Sequence, residues 1–348
     1  RLRGGRVRAV PGAAERADLA GGLIGSTALA RRDPSAPQAS RSTAGERCFS
    51  SVRRDKGKVV EQRVYSIGEG DADSLKVLAR RIGRDLKADR IKMRPLPRVA
   101  VELGRIASST DPEIARAMEV IQRDTQLATK VLQVASSSAF GTRPPRSLHE
   151  ASMRLGVTGL RDLAFAVSMA GVFRCPGLDG VVRTNTTHGF VTAVLTGYVC
   201  RMMKLDANEG FLAGLLHDVG NLVVATALSE YGREDKQYWD PALAKRLGRA
   251  SHARLGAYLL ERWGFSKAVR DVALGHHRPD DAAEPLAIVV AMADHVADID
   301  GATEEERAQA LAADPCQYGP ALSDAHVAAL AHAAHLAHND PVLQDMAA

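Results

Sequence analysis

Apolar residues recur at helical spacing along the chain from about residue 71 onward. The first such face consists of Leu75, Leu78, Ile82, Leu86 and Ile91. Spacings of three and four residues place these side chains on one side of an α-helix, with Asp73 or Ser74 as the expected N-cap. Pro95 and Pro97 end the pattern, because proline cannot occupy a helix interior without breaking it.

Further helical segments follow, each with its own start or stop signal. Thr110 or Asp111 is a cap candidate, and Pro112 directly after it favours the first turn of a helix. The later pattern breaks at Gly156 and Gly159. The end of the chain, "DAHVAALAHAAHLAHND", predicts another alanine-rich helix.

No stretch alternates apolar and polar residues over the length of a strand, and aromatic residues make up only 4% of the 348 residues. The pattern therefore predicts an all-α fold, a multi-helix bundle. Residues 1–67 are rich in Arg, Gly, Ala, Ser and Pro and show no sustained period. Such a composition has little to bury, so a disordered N-terminal tail is expected there.

Charge separates the tail from the rest of the chain. Residues 1–67 contain 14 Lys and Arg against 6 Asp and Glu, a net charge of +8, whereas the whole chain carries +5. The remainder is therefore slightly acidic, at −3. This balance gives no support to nucleic-acid binding by the folded part. A glycine-rich phosphate loop and a basic patch interleaved with aromatic residues are also missing from the sequence.

The four cysteines, Cys48, Cys175, Cys200 and Cys316, lie far apart without a CxxC motif. They indicate reduced thiols in a cytoplasmic protein. The longest apolar run, residues 211–228, approaches the length of a membrane span. It contains His217, Asp218 and Asn221 near its middle, which favours a buried core helix and no membrane association.

Seven histidines and aspartates lie within or beside apolar helical segments: His188, His217, Asp218, His252, His276, His277 and Asp294. Burying an unpaired charge costs several kcal/mol, so such residues need partners or a metal. Imidazole nitrogens and carboxylate oxygens without thiolates suit divalent Mn, Fe, Zn or Mg. Facing helices could hold one or two such ions. A set of hydrogen-bonded core residues is the alternative that spacing alone leaves open.

The remaining histidines give weaker indications of a metal site. His332, His335 and His338 recur every three residues near the C-terminus, where a solvated or half-buried helix face is the favoured interpretation. His149 and His326 stand alone, and no role is assigned to them.

The order of the seven residues resembles that of the HD superfamily, which is named for a doublet like His217–Asp218. The additional His252 and the pair His276–His277 resemble its members that hold two metals. A narrower resemblance is to the HD-related output domain (HDOD) family, over about residues 92–300. It rests on the ordered segments "LPRVAVELGRIASSTDPEIARAMEVIQRDTQLATKVLQVASSSAFG", "SLHEASMRLGVTGLRDLAFAVSMA", "FLAGLLHDVGNLVV" and "SHARLGAYLLERWGF".

The resemblance implies an HDOD-type helical domain over residues 68–348, following the tail. Its expected parts are an N-terminal helical half at 68–180, an HD-like core at 181–300 and a C-terminal extension at 301–348. It also implies a bacterial signal-transduction role as an output or scaffold module. Because the sequence shows no receiver, kinase or cyclase unit, the module would act through a signalling protein partner.

Two departures weaken the case for an enzyme. Active HD phosphohydrolases commonly carry a lysine three residues after the Asp of the doublet, and this chain has Asn221 there. The Gly-Tyr-Pro signature of cyclic-dinucleotide phosphodiesterases is replaced by "RPDD" after His277. The favoured hypothesis is a non-catalytic signalling module that holds a metal or a buried polar pair. The alternative is a metal-dependent phosphohydrolase acting on a nucleotide or cyclic dinucleotide.

Overall fold

A computed structural model describes the chain over residues 46–55, 58–67, 71–107, 114–137, 140, 143–235, 238–277, 284–299, 303–313 and 323–341. Residues 43–348 form one compact unit. For residues 46–67 the description covers the backbone only. The predicted helix start at Thr110–Pro112 lies outside the described residues.

Thirteen helices occur within the described ranges. They are α1 (Ala72–Lys87), α2 (Arg98–Ala107), α3 (Ile114–Gln122), α4 (Thr125–Ala135), α5 (Leu148–Ala170), α6 (Asp179–Met202), α7 (Ala207–Leu216), α8 (Val219–Asp235), α9 (Pro241–Arg262), α10 (Lys267–Gly275), α11 (Pro285–Asp298), α12 (Glu304–Ala313) and α13 (Asp324–Asn339). The predicted all-α fold class is confirmed for the body of the chain, and Pro95 and Pro97 lie between α1 and α2 as the pattern predicts.

Within the described part of the chain, three strands accompany the helices. Strands β1 (Glu46–Asp55) and β2 (Lys58–Ile67) form an antiparallel hairpin, and the short β3 (Tyr238–Trp239) pairs in parallel with β2. The hairpin lies inside the segment 1–67 for which the composition predicts disorder, so the structure differs from that prediction here. Extended backbone is favoured by the β-branched residues of "KVVEQRVYSI", a local signal that the average composition of the tail conceals. Residues 1–45 lie outside the described part of the chain.

Side-chain caps define several helix starts. Asp71 Oδ1 accepts a hydrogen bond from the Ser74 backbone N–H at 2.9 Å, so Asp71 is the N-cap of α1, in place of the expected Asp73 or Ser74. Helix α5 changes direction at Gly156, whose φ of 72° lies in the left-handed region that glycine adopts without strain. Gly159 remains helical, so only the first of the two predicted breaks occurs.

The helices pack in two groups that follow one another in sequence. Helix α5 contacts α2, α3 and α4, whereas α6 lies at the centre of the second group and contacts α7, α8, α9, α11 and α13. Helix α9 packs against α8 and α10 and also against α1. Leu195, Leu228 and Leu259, from α6, α8 and α9, are among the fully buried side chains of this second group.

The apolar stretch through α7 and α8 is buried in the bundle. Residues Ala207–Glu234 are long and apolar enough to span a membrane. However, 67% of the most apolar 18-residue stretch among them is buried inside the structure. The burial agrees with the predicted core helix. Cys175 and Cys200 are buried free thiols, as expected for reduced cysteines.

Helices α8 and α9 approach each other so closely that no side chain fits between them at one point. A Cβ atom added to Gly220 would overlap the carbonyl oxygen of His252. Both atoms belong to rigid helical segments, so the contact cannot be relieved by rotating a side chain. Glycine is therefore required at this position by the packing of the two helices.

We expect Gly220→Ala to lower the free energy of unfolding by about 3 kcal/mol, because the added methyl group forces α8 and α9 apart. Urea denaturation followed by circular dichroism measures the change. Gly83→Ala is the matched control, because a Cβ atom at Gly83 in α1 meets no atom within 4 Å. That variant should be neutral or stabilised by about 0.4–1 kcal/mol. Equal stability of Gly220→Ala and the unmodified protein would contradict this account of the packing.

Candidate metal centre

The His217–Asp218 doublet lies where α7 ends and α8 begins. His217 is the C-cap residue of α7 and is fully buried. Its Nδ1 donates a hydrogen bond to the carbonyl oxygen of Gly214 at 2.7 Å, so that Nε2 is the ring nitrogen left for other contacts in the cluster. The break between the helices thus presents an imidazole nitrogen and a carboxylate side by side.

Two further histidines are oriented in the same way. In α9, the Nδ1 of His252 lies 2.8 Å from the carbonyl oxygen of Gly248, and at the end of α10 the Nδ1 of His276 lies 3.1 Å from that of Val272. Both side chains are buried. A hydrogen bond from one ring nitrogen to a backbone carbonyl is how proteins orient metal-binding imidazoles. In both residues the free Nε2 is the atom that faces Asp218.

Helices α6 and α11 supply the other side of the cluster. His188 Nε2 lies 2.9 Å from Asp294 Oδ1, and His188 Nδ1 lies 3.4 Å from Asp298 Oδ1. Asp294 Oδ1 is also 3.2 Å from His217 Nε2. Asp294 therefore connects the α6 side of the cluster to the doublet.

Asp218 is the common neighbour of the remaining histidines. Its Oδ1 lies 3.2 Å from His252 Nε2 and 3.5 Å from His276 Nε2, and its Oδ2 lies 3.9 Å from His217 Nε2. His277 Nε2 lies 3.0 Å from His252 Nε2. All seven residues singled out in the sequence are brought together by the fold, although their role as metal ligands stays a prediction.

The donor set fits divalent metal ions. Four overlapping groups have ligand atoms within 4.8 Å of one another: Asp218, His252, His276 and His277; His188, His217 and Asp218; His217, His276 and Asp294; and His188, Asp294 and Asp298. Ligands held at about 2.1 Å around one ion are themselves about 3.0–3.4 Å apart, similar to the separations observed here. The chemistry of the set, nitrogen and oxygen without sulfur, matches the ions expected from the sequence.

Three buried atoms in the cluster have polar contacts at 3.2–3.5 Å but make no well-aligned hydrogen bond among the described residues: His217 Nε2, Asp218 Oδ1 and His276 Nε2. An orphaned buried polar atom costs about 1–3 kcal/mol. Three of them pointing at one another identify a place where something polar or cationic is needed. This observation favours a metal site over the alternative of a self-sufficient hydrogen-bonded core.

Burial and the contacts between imidazoles and carboxylates shift the pKa values of the cluster residues. Burial lowers the pKa of His217, but the carboxylates of Asp218 and Asp294 outweigh it and raise the pKa to about 9. Burial raises the pKa of both carboxyls, yet the neighbouring imidazoles, led by His217, hold it below the usual range. Burial and two adjacent imidazoles lower the pKa of His277 to about 4. Without a metal, the cluster therefore retains a proton on His217 at neutral pH.

Asn221 occupies the position one turn after the doublet. Its Nδ2 donates a hydrogen bond to Asp218 Oδ2 at 3.0 Å. Its Oδ1 lies against α9, so close to Gly248 that a Cβ atom there would overlap it. The amide is thus held between the doublet and α9, where it orients the Asp218 carboxylate. Asn185 adds a contact from α6, its Nδ2 lying 3.4 Å from the Asp218 carbonyl oxygen.

The members of the cluster differ in their exposure to solvent. His217 is inaccessible, whereas the side chains of His188 and Asp294 are 16% and 14% exposed and that of Asp298 is 75% exposed. His277 is also exposed.

Asp298 is the site residue that the sequence analysis missed. It lies four residues after Asp294 in α11, so both carboxylates share one helix face. The i, i+4 spacing in "DHVAD" was the available signal. Two of the other histidines contact residues outside the cluster: His332 lies 2.7 Å from Glu304 on the surface, and His338 Nε2 lies 2.8 Å from the Ala297 carbonyl oxygen.

We expect metal binding by chelator-treated protein to strengthen as the pH rises from 6 towards 9. His217, whose pKa is raised to about 9, must lose its proton before its Nε2 can bind an ion. Calorimetric titration with Mn²⁺ or Zn²⁺, repeated in buffers of different ionisation enthalpy, measures both affinity and proton release. Affinity that does not change over this range would show that His217 is not a ligand.

His217→Ala should reduce the bound metal strongly in the same titration. His332→Ala is the matched control, because it removes an imidazole that is 54% exposed and lies outside the cluster. Equal metal binding by both variants would contradict the assignment of the centre.

Comparison with known proteins agrees with this architecture. Residues 93–279, more than half of the chain, match the family model of the HDOD domain. Two solved structures from Shewanella amazonensis SB2B have the same fold. One protein is provisionally described as a phosphohydrolase (22% identity, TM-score 0.56, 77% of this chain and 98% of that chain). The other is provisionally described as a metal-dependent phosphohydrolase (19% identity, TM-score 0.54, 75% and 99%).

Two relatives are similar in sequence over shorter shares of their length. An uncharacterized protein of Treponema pallidum (strain Nichols) is 27% identical over 238 residues, which cover 63% of this chain and 45% of that protein. Ribonuclease Y of Thermus thermophilus is 30% identical over 145 residues, 42% of this chain and 21% of that protein. The chain spans less than half the length of these curated relatives. The match of the family model to residues 93–279, together with the helical fold, shows that the chain belongs to the HDOD family.

Proposed function

We propose that the chain is a signal-transduction output domain that holds one or two divalent metal ions in its His/Asp cluster and acts through a protein partner, without hydrolysing a phosphate ester. The observation that carries the proposal is the identity and the contacts of Asn221. A neutral amide stands where a substrate-binding lysine is expected in active relatives. It is already engaged with Asp218 and packed against Gly248.

The ligands divide between the two sides of the cluster. Asp218, His252, His276 and His277 would hold one ion, and His188, His217 and Asp218 would hold a second, so that Asp218 belongs to both sets. A bound divalent ion would supply positive charge to the three orphaned atoms of the cluster. Since the ligands come from α6, α9, α10, α11 and the α7–α8 junction, the ions would also hold these helices together.

The charges around the cluster favour metal binding without hydrolysis of a phosphate ester. Every ion pair recorded for the carboxylates of Asp218, Asp294 and Asp298 within the described residues is with a histidine. Within the same ranges, neither lysine nor arginine pairs with these carboxylates. A phosphoryl-transfer site normally adds such a cation to its metal ions to stabilise developing charge.

A metal-dependent phosphohydrolase is the second candidate, and the exposure of the Asp298 and His277 side chains favours it. Two structural neighbours are provisionally described as phosphohydrolases, and ribonuclease Y is a relative in sequence. On this alternative the bound ions would act as Lewis acids towards a phosphate ester. Asp298 and His277, at the solvent edge, would be placed to exchange protons with the incoming molecule.

Hydrolysis assays on metal-loaded protein separate the candidates. We expect no turnover above background with bis(p-nitrophenyl) phosphate, cyclic dinucleotides or short RNA in the presence of Mn²⁺, Fe²⁺, Zn²⁺ or Mg²⁺. Elemental analysis of the same sample should show bound metal. Metal-dependent turnover that His217→Ala abolishes and His332→Ala retains, at unchanged melting temperature, would establish the phosphohydrolase instead.

A further inference from the structure

A groove lies on the face of α9 that is turned away from the His/Asp cluster. Helices α1, α9 and α10 form its walls, and its volume is about 770 Å³. The lining residues of α1 run from Ala79 to Lys87 and those of α9 from Ala250 to Glu261. At 1.5 Å per residue, the α9 wall is about 16 Å long, which is the length of two to three helical turns.

The groove combines an apolar floor with a cationic rim. Leu86 and Leu255 are buried beneath it, and Leu274 at its edge is 53% exposed, one of the few large apolar side chains exposed to this degree. Gly83 leaves the floor of the α1 wall open, since a Cβ atom there meets nothing within 4 Å. An apolar floor of this kind can accept side chains from another molecule.

The positive charge of the rim is not neutralised. Six Lys and Arg residues line the groove: Arg80, Arg84, Lys87, Arg254, Lys267 and Arg270. Lys267 pairs with Asp271 at 2.5 Å, and Arg270 pairs with Glu261 at 2.8 Å. Among the described residues the other four cations have no recorded ion pair. They give the groove a local charge of +4 in a body whose own net charge is −3.

We propose that this groove docks an acidic amphipathic helix of a partner protein. Its apolar face would lie on Leu255, Leu274 and the open floor at Gly83, and its carboxylates would face Arg80, Arg84 and their neighbours. Helix-in-groove recognition uses this combination of an apolar stripe and complementary flanking charge. The basic tail of this chain, with its net charge of +8, does not fit, because its charge has the same sign as the rim.

One wall of the groove lies outside the residues that match the family model. The model of the HDOD domain covers residues 93–279, whereas the α1 wall, with Arg80, Gly83 and Arg84, precedes them. Aliphatic side chains predominate in the floor, and Tyr258 is the one aromatic residue among the lining residues. Single-stranded nucleic acid, which binds by stacking on several aromatic rings, is therefore less well matched than a helix.

The docking of a helix rests on the proposed output function, because that function requires a protein partner. The groove is separate from the His/Asp ligands, so its test does not depend on metal content or on hydrolysis. Failure of docking would leave the metal titrations unchanged, and turnover in the hydrolysis assays would leave docking unchanged.

The test uses fluorescence anisotropy with a labelled helical peptide of about 12 residues, with leucines at i, i+3, i+4 and i+7 and glutamates elsewhere. A scrambled peptide of the same composition and an RNA of equal charge are the comparison probes. We expect the amphipathic peptide to bind at least tenfold more tightly than either. Equal binding of the scrambled peptide, tighter binding of RNA, or no binding of the amphipathic peptide would overturn the proposal.

Paired variants locate the binding site. Gly83→Leu fills the floor and should weaken the amphipathic peptide at least tenfold, whereas Gly83→Ala, which leaves the groove open, should bind within about twofold of the unmodified protein. The double variant Arg80→Glu and Arg84→Glu should weaken binding, and Arg116→Glu with Lys130→Glu, on α3 and α4, is its charge-matched control. Equal effects of the members of either pair would overturn the assignment to this groove.

Discussion

The close approach of α8 and α9 is the constraint on which the site depends. At Gly220 the α8 backbone lies directly against the His252 carbonyl of α9, with no side chain between them. That approach brings Asp218, two residues earlier, within 3.2 Å of the His252 ring. A larger separation of the two helices would leave the carboxylate and the imidazole in different parts of the bundle. Glycine at residue 220 therefore contributes to the chemistry of the site although it has no side chain.

Burying the polar cluster in an apolar core destabilises the fold, and the geometry of the cluster limits this effect. Three histidines use Nδ1 to satisfy a backbone carbonyl of their own helix turn, so the burial of these nitrogens is compensated. The Nε2 atoms of His217 and His276 make no well-aligned hydrogen bond among the described residues, and neither does Asp218 Oδ1. A core selected for stability alone would pair these atoms or replace them with apolar groups. These are atoms through which the cluster could hold a metal ion.

Much of this arrangement could be predicted from the sequence, and the exceptions have physical causes. Helical periodicity and proline positions located the helices, and the polar residues in apolar helices located the site. Asp298 was missed because an exposed aspartate at a helix end is usually a solvated residue. The hairpin at residues 46–67 was missed because a strand pairing depends on a partner distant in sequence, here including β3 at Tyr238–Trp239. The contact of Asn221 with Gly248 was not predictable, since it depends on how two helices cross.

Helices α9 and α10 connect the two surfaces of the domain. The inner face of α9 carries His252, and its outer face lines the groove with Arg254 and Tyr258. Helix α10 contributes Leu274 to the groove and is capped two residues later by His276. Helices move as rigid bodies, so an occupant that displaces α10 must also displace the His276 ring relative to Asp218. By thermodynamic linkage, any effect of docking on metal affinity has an equal effect of metal on docking. Helices α9 and α10 are thus shared by the buried His/Asp cluster and the exposed groove.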